Sequence, residues 1–315
     1  MYEARIERDS ITQYGERLTT FVVTMPRIVL AELNTHRMFS RSSASSRAIP
    51  VQKQIDRLYK DPFEPVSWGK NQKGMQAEED LSPEQAKRAH DLWNEAMYKA
   101  IEGAERLLDL GVHKQLTNRL LEPFMWHTVI VTATEWDNFF HLRDSSKAQP
   151  EIQKPVSLMR ALYRDSRPKL LGEGDWHLPF EPEDETQQAA YSIEERIKMS
   201  VGRAARVSYL NHEGVPDPVA DKRLADTCLA NGHMAPWEHV ARPMSDYDRT
   251  VFRRPRVFAS PQPVRRSGGV MPTSIFTDVT PWERGESEYF CGNFNGWVQA
   301  RKLIHGEADA LAFER

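Results

Sequence analysis

Between residues 34 and 50 the chain reads NTHRMFSRSSASSRAIP: a His36-Arg37 pair, then Ser40, Ser42, Ser43, Ser45 and Ser46 set around Arg41, then Arg47. So many short hydroxyls between cations suit an oxyanion. Small side chains let backbone N–H groups approach a phosphate, hydroxyls add donors, and Arg47 can close on it as a fork. A serine-rich surface turn is the plain alternative. His36 and Arg37 offer donors that can sit over an electron-rich ring and stabilise negative charge on it. Two further arginines stand among apolar neighbours: Arg119 in NRLLEP and Arg143 at the end of NFFHLR. A guanidinium there is costly unless it meets an anion or a carboxylate. The competing reading for each is an ion pair with Glu122, Glu135 or Glu151. His233 and His239 flank Pro236 in HMAPWEH, with no third ligand at a metal-binding spacing. A helix-terminating loop stiffened by proline is the better reading there, and a zinc hydrolase the weaker one.

Across 315 residues, 42 basic and 45 acidic side chains leave a net charge of −3. That argues against a duplex-DNA binder living on counterion release and leaves room for a basic pocket around one small anion. The length suits one large domain or two ordinary ones, with a sizeable core. Cys228 and Cys291 lie far apart and fit no metal spacing, so a reducing compartment is expected. The opening MYEARIERDS has no apolar targeting core, and no run approaches a membrane span. A cytoplasmic location follows as the expectation.

The elements that must position these residues are partly legible. LTTFVVTMPRIVLAEL, residues 18–33, reads as a strand turning into a helix at Pro26. Residues 50–81, rich in Pro, Gly, Lys and Gln, read as a long loop. Ser82, Pro83 and Gln85 form a capping box opening a helix that carries Ala89, Leu92, Trp93, Ala96, Met97, Ala100, Ala104, Leu107 and Leu108 at helical spacing and stops at Gly111. Residues 127–143 start as a strand and become helical. A helix is expected around 156–164, with its start obscured by Pro155. Residues 165–190 read as a loop and a candidate boundary. A second capped helix runs from Asp217-Pro218 to Gly232, with Val219, Leu224, Cys228 and Leu229 inward. Residues 243–289 lack periodicity, and the tail begins as a loop and ends as a helix.

These pieces together resemble the flavin-dependent thymidylate synthases. That family's signature is R-H-R-x-x-S-x-N-E-x-S-x-R; residues 35–47 here are T-H-R-M-F-S-R-S-S-A-S-S-R. His36, Arg37, Ser40, Ser45 and Arg47 match, while Thr35, Ser42 and Ser43 depart. DLGVHKQLTNRLLEP resembles the family stretch whose Arg, here Arg119, binds the nucleotide. DNFFHLRDSSKAQPEI is similar to the block N-F-x-x-x-R-x-x-x-x-A-Q-x-E-I, whose Arg, here Arg143, activates the uracil. Asn138 falls on a flavin contact. About three residues are missing between Thr132 and Trp136, where other members carry flavin-binding Asn and Arg. GRAARVSYLNHEG and LANGHMAPWEH resemble the family's N-terminal third, yet here they follow the His-Arg motif. GWVQARK, with Gln299 and Arg301, echoes the segment leading into that motif, where Glu32 stands in the first copy.

The resemblance implies an α/β (α+β) protein of the family's mixed fold, long helices around a small sheet, with segments in permuted or duplicated order. It suggests one half over 1–165 with the motif and the nucleotide arginines, and a second over 190–315, intertwined in one unit. It implies FAD-dependent one-carbon transfer from methylene-tetrahydrofolate to C5 of dUMP, giving thymidylate, with NADPH as external reductant and no thiol nucleophile. The same chemistry can instead give 5-hydroxymethyl-dUMP, as in some phage-type relatives; an inactive nucleotide-binding scaffold is the reading of another class. The implied dUMP residues are Glu32, Ser43, Ser45, Arg47, Arg119 and Arg143, with Arg143 catalytic. The implied flavin and folate residues are His36, Arg37, Ser40, Asn138, Ser208 and His233. No metal, membrane or duplex nucleic acid is implied. A homo-oligomer, dimer or tetramer, with shared active sites is, in a cytoplasm that is the host's if the gene is a phage's.

Overall fold

A computed structural model describes residues 1–182, 184–209, 217–252, 263–266, 269–272, 292–304 and 307. Two long strands, β1 (Glu3–Thr12) and β2 (Arg17–Pro26), form a hairpin. A 3-10 turn at Arg27–Val29 leads into the short helix α1 (Leu30–Asn34) and then β3 (Ser40–Ser43). Helices α2 (Val51–Lys60), α3 (Pro83–Asp109) and α4 (Lys114–Thr117) come next, with a 3-10 segment over Asn118–Phe124. Strand β4 (Trp126–Ala133), helices α5 (Asp137–Arg143) and α6 (Pro150–Asp165), and strand β5 (Lys169–Leu171) follow. Then come α7 (Glu185–Ala189), α8 (Ile193–Tyr209), α9 (Pro218–Ala230), a 3-10 turn at Ala235–His239, β6 (Ala241–Pro243) and α10 (Asp246–Phe252). A small hairpin, β7 (Pro263–Arg266) and β8 (Gly269–Pro272), precedes β9 (Trp297–Gln299).

The main sheet has the order β3-β4-β2-β1-β5, antiparallel except for the parallel pair β1–β5. Strand β2 is a nearly continuous apolar run because it is central and covered on both faces. On one face Phe21, Val23, Val129 and Val131 pack on Phe139 and Phe140 of α5 and on Ile152, Val156 and Met159 of α6. On the other, Val22 and Ile130 meet Ala204 and Val207 of α8. A second core joins Ile55 and Leu58 of α2 to Met97, Ile101 and Ala104 of α3. The mixed fold class, long helices around a small sheet, is as expected.

The capping box at Ser82 and Gln85 forms, and Gly111 ends its helix with φ +77°. Several details differ from the sequence reading. Residues 50–81 are not all loop: Val51, Gln54, Ile55 and Leu58 are buried along α2, about two turns of periodicity that surrounding Pro and Lys obscure. Helix α6 begins at Pro150, a first-turn position that suits proline, and continues through Pro155, whose missing N–H leaves the Glu151 carbonyl without its i→i−4 bond. Leu92 and Leu108, expected inward on α3, are exposed, and so is Val219 at 75% on the first turn of α9. The loop expected at 165–190 contributes β5 and α7, and His177 inside it is fully buried. The tail carries a strand, β9, paired with β6, and the helix expected at its end falls outside the described residues.

Candidate functional site

Helix α1, β3 and the loop after β3 display the motif residues, and three groups result. In the first, α5 delivers Arg143 to the end of α1. Its Nε donates to His36 Nε2 at 3.1 Å and its Nη2 to Thr35 Oγ1 at 3.2 Å. The His36 ring lies stacked on Phe39, with Phe139 edge-on at 4.8 Å. Burial, then the charges of Arg143 and Arg41, push the His36 pKa below its usual value, so its Nε2 is a neutral acceptor and the Nδ1 hydrogen a free donor. Asn138, one residue before Phe139, is exposed, as is Arg37. On α1, Glu32 Oε2 is buried without a hydrogen-bond partner among the described residues.

In the second group, Asn118 clamps the loop that carries Arg47: its Nδ2 donates to Ser46 O at 2.7 Å and to Ile49 O at 2.9 Å. Ser45, Arg47 and Arg119 are exposed around that clamp. Behind them Glu122 is shared by Ser46, by Arg27 at 3.1 Å and by Arg119 at 2.8 Å. Arg27 also meets the His127 ring at 2.9 Å; burial, then that guanidinium, lower His127 to about 3. The Arg119–Glu122 ion pair is thus real, and half of the Arg119 side chain still faces solvent.

The third group is a cleft of about 350 Å³ lined by Arg41, Ser42, Ser43, Cys228, His233 and Pro236, among others, with no acidic side chain. Helix α9 ends in a paired turn: His233 N–H bonds Cys228 O at 2.8 Å, Gly232 N–H bonds Leu229 O at 3.1 Å, and Gly232 takes φ +69°. That left-handed residue swings His233 to the mouth of the cleft. The 3-10 turn after it buries His239 completely, with Nε2 at 3.0 Å from Ser42 Oγ. HMAPWEH and the serine segment, far apart in sequence, therefore meet in space. His239 is no metal ligand here, and the described residues hold no cluster of three candidate ligands.

Ser40 is buried and paired with Gln299 Nε2 at 2.9 Å and Asn293 Oδ1 at 3.2 Å. Gln299 is itself buried, also donating to Glu238 O at 3.1 Å. Arg301 pairs with Glu238 and Glu307. The side chain of Ser208 lies outside the described residues. Among the described residues, no carboxylate pairs with Arg37, Arg41, Arg47 or Arg143, whereas Arg203 and Arg206 share the buried Asp221. The serine segment is thus rimmed by guanidinium groups whose internal partners are neutral, an arrangement suited to an anionic ligand. Sequence reasoning missed Asn118 and Arg41 as parts of this surface. Arg41 was visible inside the motif; Asn118 had no local signal, because its role is to satisfy carbonyls some seventy residues away.

Residues 17–169 match the family model described as thymidylate synthase complementing protein. No curated protein matches the chain. Among solved structures, a UMP/dUMP methylase from Streptomyces cacaoi bound with 5-Br UMP is similar at 15% identity and TM-score 0.41, over 52% of this chain and 88% of that one. The same methylase bound with 5-Br dUMP matches at 15% identity and TM-score 0.42, over 52% of this chain and 90% of that one. The resemblance to the thymidylate synthase complementing family, first visible in the His36–Arg47 motif, thus holds over residues 17–169, which carry the motif, Arg119 and Arg143.

Proposed function

We propose that the protein transfers a one-carbon unit to C5 of dUMP, taking it from methylene-tetrahydrofolate and giving thymidylate with FAD as the redox cofactor. The match of residues 17–169 to the thymidylate synthase complementing family supports the reaction class. The observation that carries the nucleotide is the set of arginines around the serine segment: among the described residues Arg37, Arg47 and Arg143 have no carboxylate partner, and Arg119 shares Glu122 while half of its side chain stays exposed.

In this reading Arg47 and Arg119, on either side of the Asn118 clamp, grip the 5′-phosphate, with Ser43 and Ser45 adding hydroxyl donors. The family resemblance assigns Glu32 to the nucleotide too, accepting from a hydroxyl. Arg143 binds the uracil edge and stabilises negative charge that develops on the ring, pushing electron density to C5. Holding the reactants in register is worth on the order of 7–11 kcal/mol in such a reaction.

The flavin fits the donor set beside α1. His36 is neutral and keeps a free Nδ1 hydrogen, Arg37 and Asn138 are exposed next to it, and aromatic rings wall the site. A bound, reduced flavin would supply the hydride that turns the transferred carbon into a methyl group. The family resemblance assigns Ser40 and Ser208 to the flavin as well, with Ser40 giving up Gln299 or Asn293 to reach it, and His233 at the cleft mouth receives the folate. Active sites shared between subunits of a homo-oligomer would bring the three groups onto one substrate.

Purified protein mixed with FAD should turn yellow and hold the flavin through gel filtration. With dUMP, methylene-tetrahydrofolate and NADPH, mass spectrometry should find dTMP; 5-hydroxymethyl-dUMP would assign the hydroxymethyl outcome of the same chemistry. Recovery of unchanged dUMP from colourless protein would refute the proposal.

A further inference from the structure

Six buried side chains form one hydrogen-bonded line that ends at Ser42 in the third group. Ser10 Oγ meets His177 Nδ1 at 2.9 Å, His177 Nε2 meets Thr20 Oγ1 at 2.8 Å, and Thr20 Oγ1 meets Thr132 Oγ1 at 2.7 Å. Thr132 Oγ1 then meets His239 Nδ1 at 2.8 Å, and His239 Nε2 meets Ser42 Oγ at 3.0 Å. All are between 0% and 5% exposed. The line crosses β1, β2, β4 and β3, interstrand steps of about 4.8 Å each. Its ends reach different clefts. Ser42 lines the one with Arg41, Ser43 and His233; Ser10 lines a second, of about 170 Å³, with Lys169, Asp175 and Glu181.

The hydrogens can be counted. Burial drives both imidazoles to the neutral form, so each of the six groups brings one hydrogen to share among five contacts. One hydrogen is left over, at an end. If it is Ser42's, every donor points toward Ser42 and both histidines are protonated on Nε2. If it is Ser10's, every donor points the other way and both are protonated on Nδ1. A mixed pair fails at the centre. One version sets two lone pairs face to face across the 2.7 Å Thr20–Thr132 contact. The other strands a buried hydroxyl hydrogen, which loses its hydration with nothing in return.

We propose that these side chains act as a single reversible proton relay between the two clefts. A proton passes from Ser42 Oγ to a basic atom of a ligand in the first cleft. Ser42 takes the Nε2 hydrogen of His239, whose Nδ1 takes that of Thr132. Thr132 takes that of Thr20, Thr20 takes the Nε2 hydrogen of His177, and His177 Nδ1 takes that of Ser10. Ser10 is refilled by an acid in the second cleft. One proton crosses, no charge is stored, and every link has reversed. The relay does not depend on the identity of the ligand, so it stands or falls apart from the nucleotide reading.

The experiment is 15N NMR of histidine-labelled full-length protein, which distinguishes Nδ1–H from Nε2–H imidazole. In Ser42→Ala, His239 is left with one partner and keeps its hydrogen bonded to it, because buried N–H groups are rarely orphaned. His239 and, across the sheet, His177 should both be Nδ1–H. Ser10→Ala should set both to Nε2–H. With Thr20→Val in place, adding Ser10→Ala should no longer change the tautomer of His239, the far histidine, which keeps both of its own partners; with Thr20→Ser in place, Ser10→Ala should still set it to Nε2–H. The same far-end tautomer in both alanine variants, or a response that survives Thr20→Val, overturns the relay. The unaltered protein gives a second reading if a variant fails to fold: matching tautomers at His177 and His239 support the relay, and opposite ones overturn it.

Discussion

Arg143 Nε donates to His36 Nε2 across 3.1 Å, tying the end of α5 to the second residue after α1. The two belong to separate blocks of the family resemblance, and each fixes the other. Burial, and after it the guanidinium, keeps the imidazole neutral, and the imidazole gives the guanidinium a partner that does not cancel its charge. Replacing Arg143 by Ala should abolish turnover and raise the His36 pKa, because one of the charges that lowers it is gone. Stability should fall by no more than about 1 kcal/mol, the worth of a solvent-accessible hydrogen bond. Kinetics, NMR titration of His36 and a thermal melt check the three parts; unchanged turnover removes the proposed role.

Asn118 should matter to nucleotide affinity without touching nucleotide. Asn118→Ala leaves the Ser46 and Ile49 carbonyls unpaired in the interior. The loop carrying Arg47 then loses its anchor, at a cost of about 1–3 kcal/mol. Isothermal titration with dUMP should show weakened binding, with Asn118→Asp not restoring it, since a carboxylate cannot donate to the two carbonyls.

Much of this arrangement was legible in the sequence and some was not. The capping box at Ser82 and the Asp217 cap of the Pro218–Ala230 helix are local signals, and each forms where the residues say it should. Helix α2 was hidden because its few buried positions stand among lysines and prolines. The outward Leu92 and Val219 show that helical spacing marks an apolar face but not whether a partner covers it. His177 and Asn118 were invisible for a different reason. Their partners lie far along the chain, and a lone polar residue announces nothing about which strand it will bond.

Gly202 is a close-approach position. A Cβ there would lie 2.0 Å from the Asp221 carbonyl oxygen where α8 crosses α9. Because that neighbour is backbone, Gly202→Ala must push the helices apart. Asp221, buried with Arg203 and Arg206, moves with α9. Destabilisation by roughly 3 kcal/mol or more is expected, in the range of overpacked cores and broken buried pairs. Urea denaturation of the variant tests it; a midpoint equal to that of the unaltered protein would show that α8 and α9 do not pack this closely.

Stability should also fall with acid. His127 and His239 have folded pKa values of about 3 against 6.5 when unfolded, and His177 is lowered as well. Above pH 6.5 these groups are neutral in both states and contribute no slope. As pH falls from 6.5 toward 3 the unfolded chain takes up protons that the native one refuses. Each imidazole then removes up to about 1.4 kcal/mol per pH unit. Denaturant midpoints at pH 7.5, 6 and 5 (on the order of one proton per histidine, by linkage) should decline steeply only below about 6.5. A flat profile would contradict the buried neutral imidazoles.

The central claim is tested most directly by incubating the purified chain with dUMP, methylene-tetrahydrofolate carrying a 13C-labelled methylene, FAD and NADPH, and reading the nucleotide by mass spectrometry. The account predicts that the labelled carbon appears on C5 of the pyrimidine, dependent on FAD and lost in Arg143→Ala. Label that stays wholly in the folate pool, while the protein binds neither flavin nor dUMP, would contradict it.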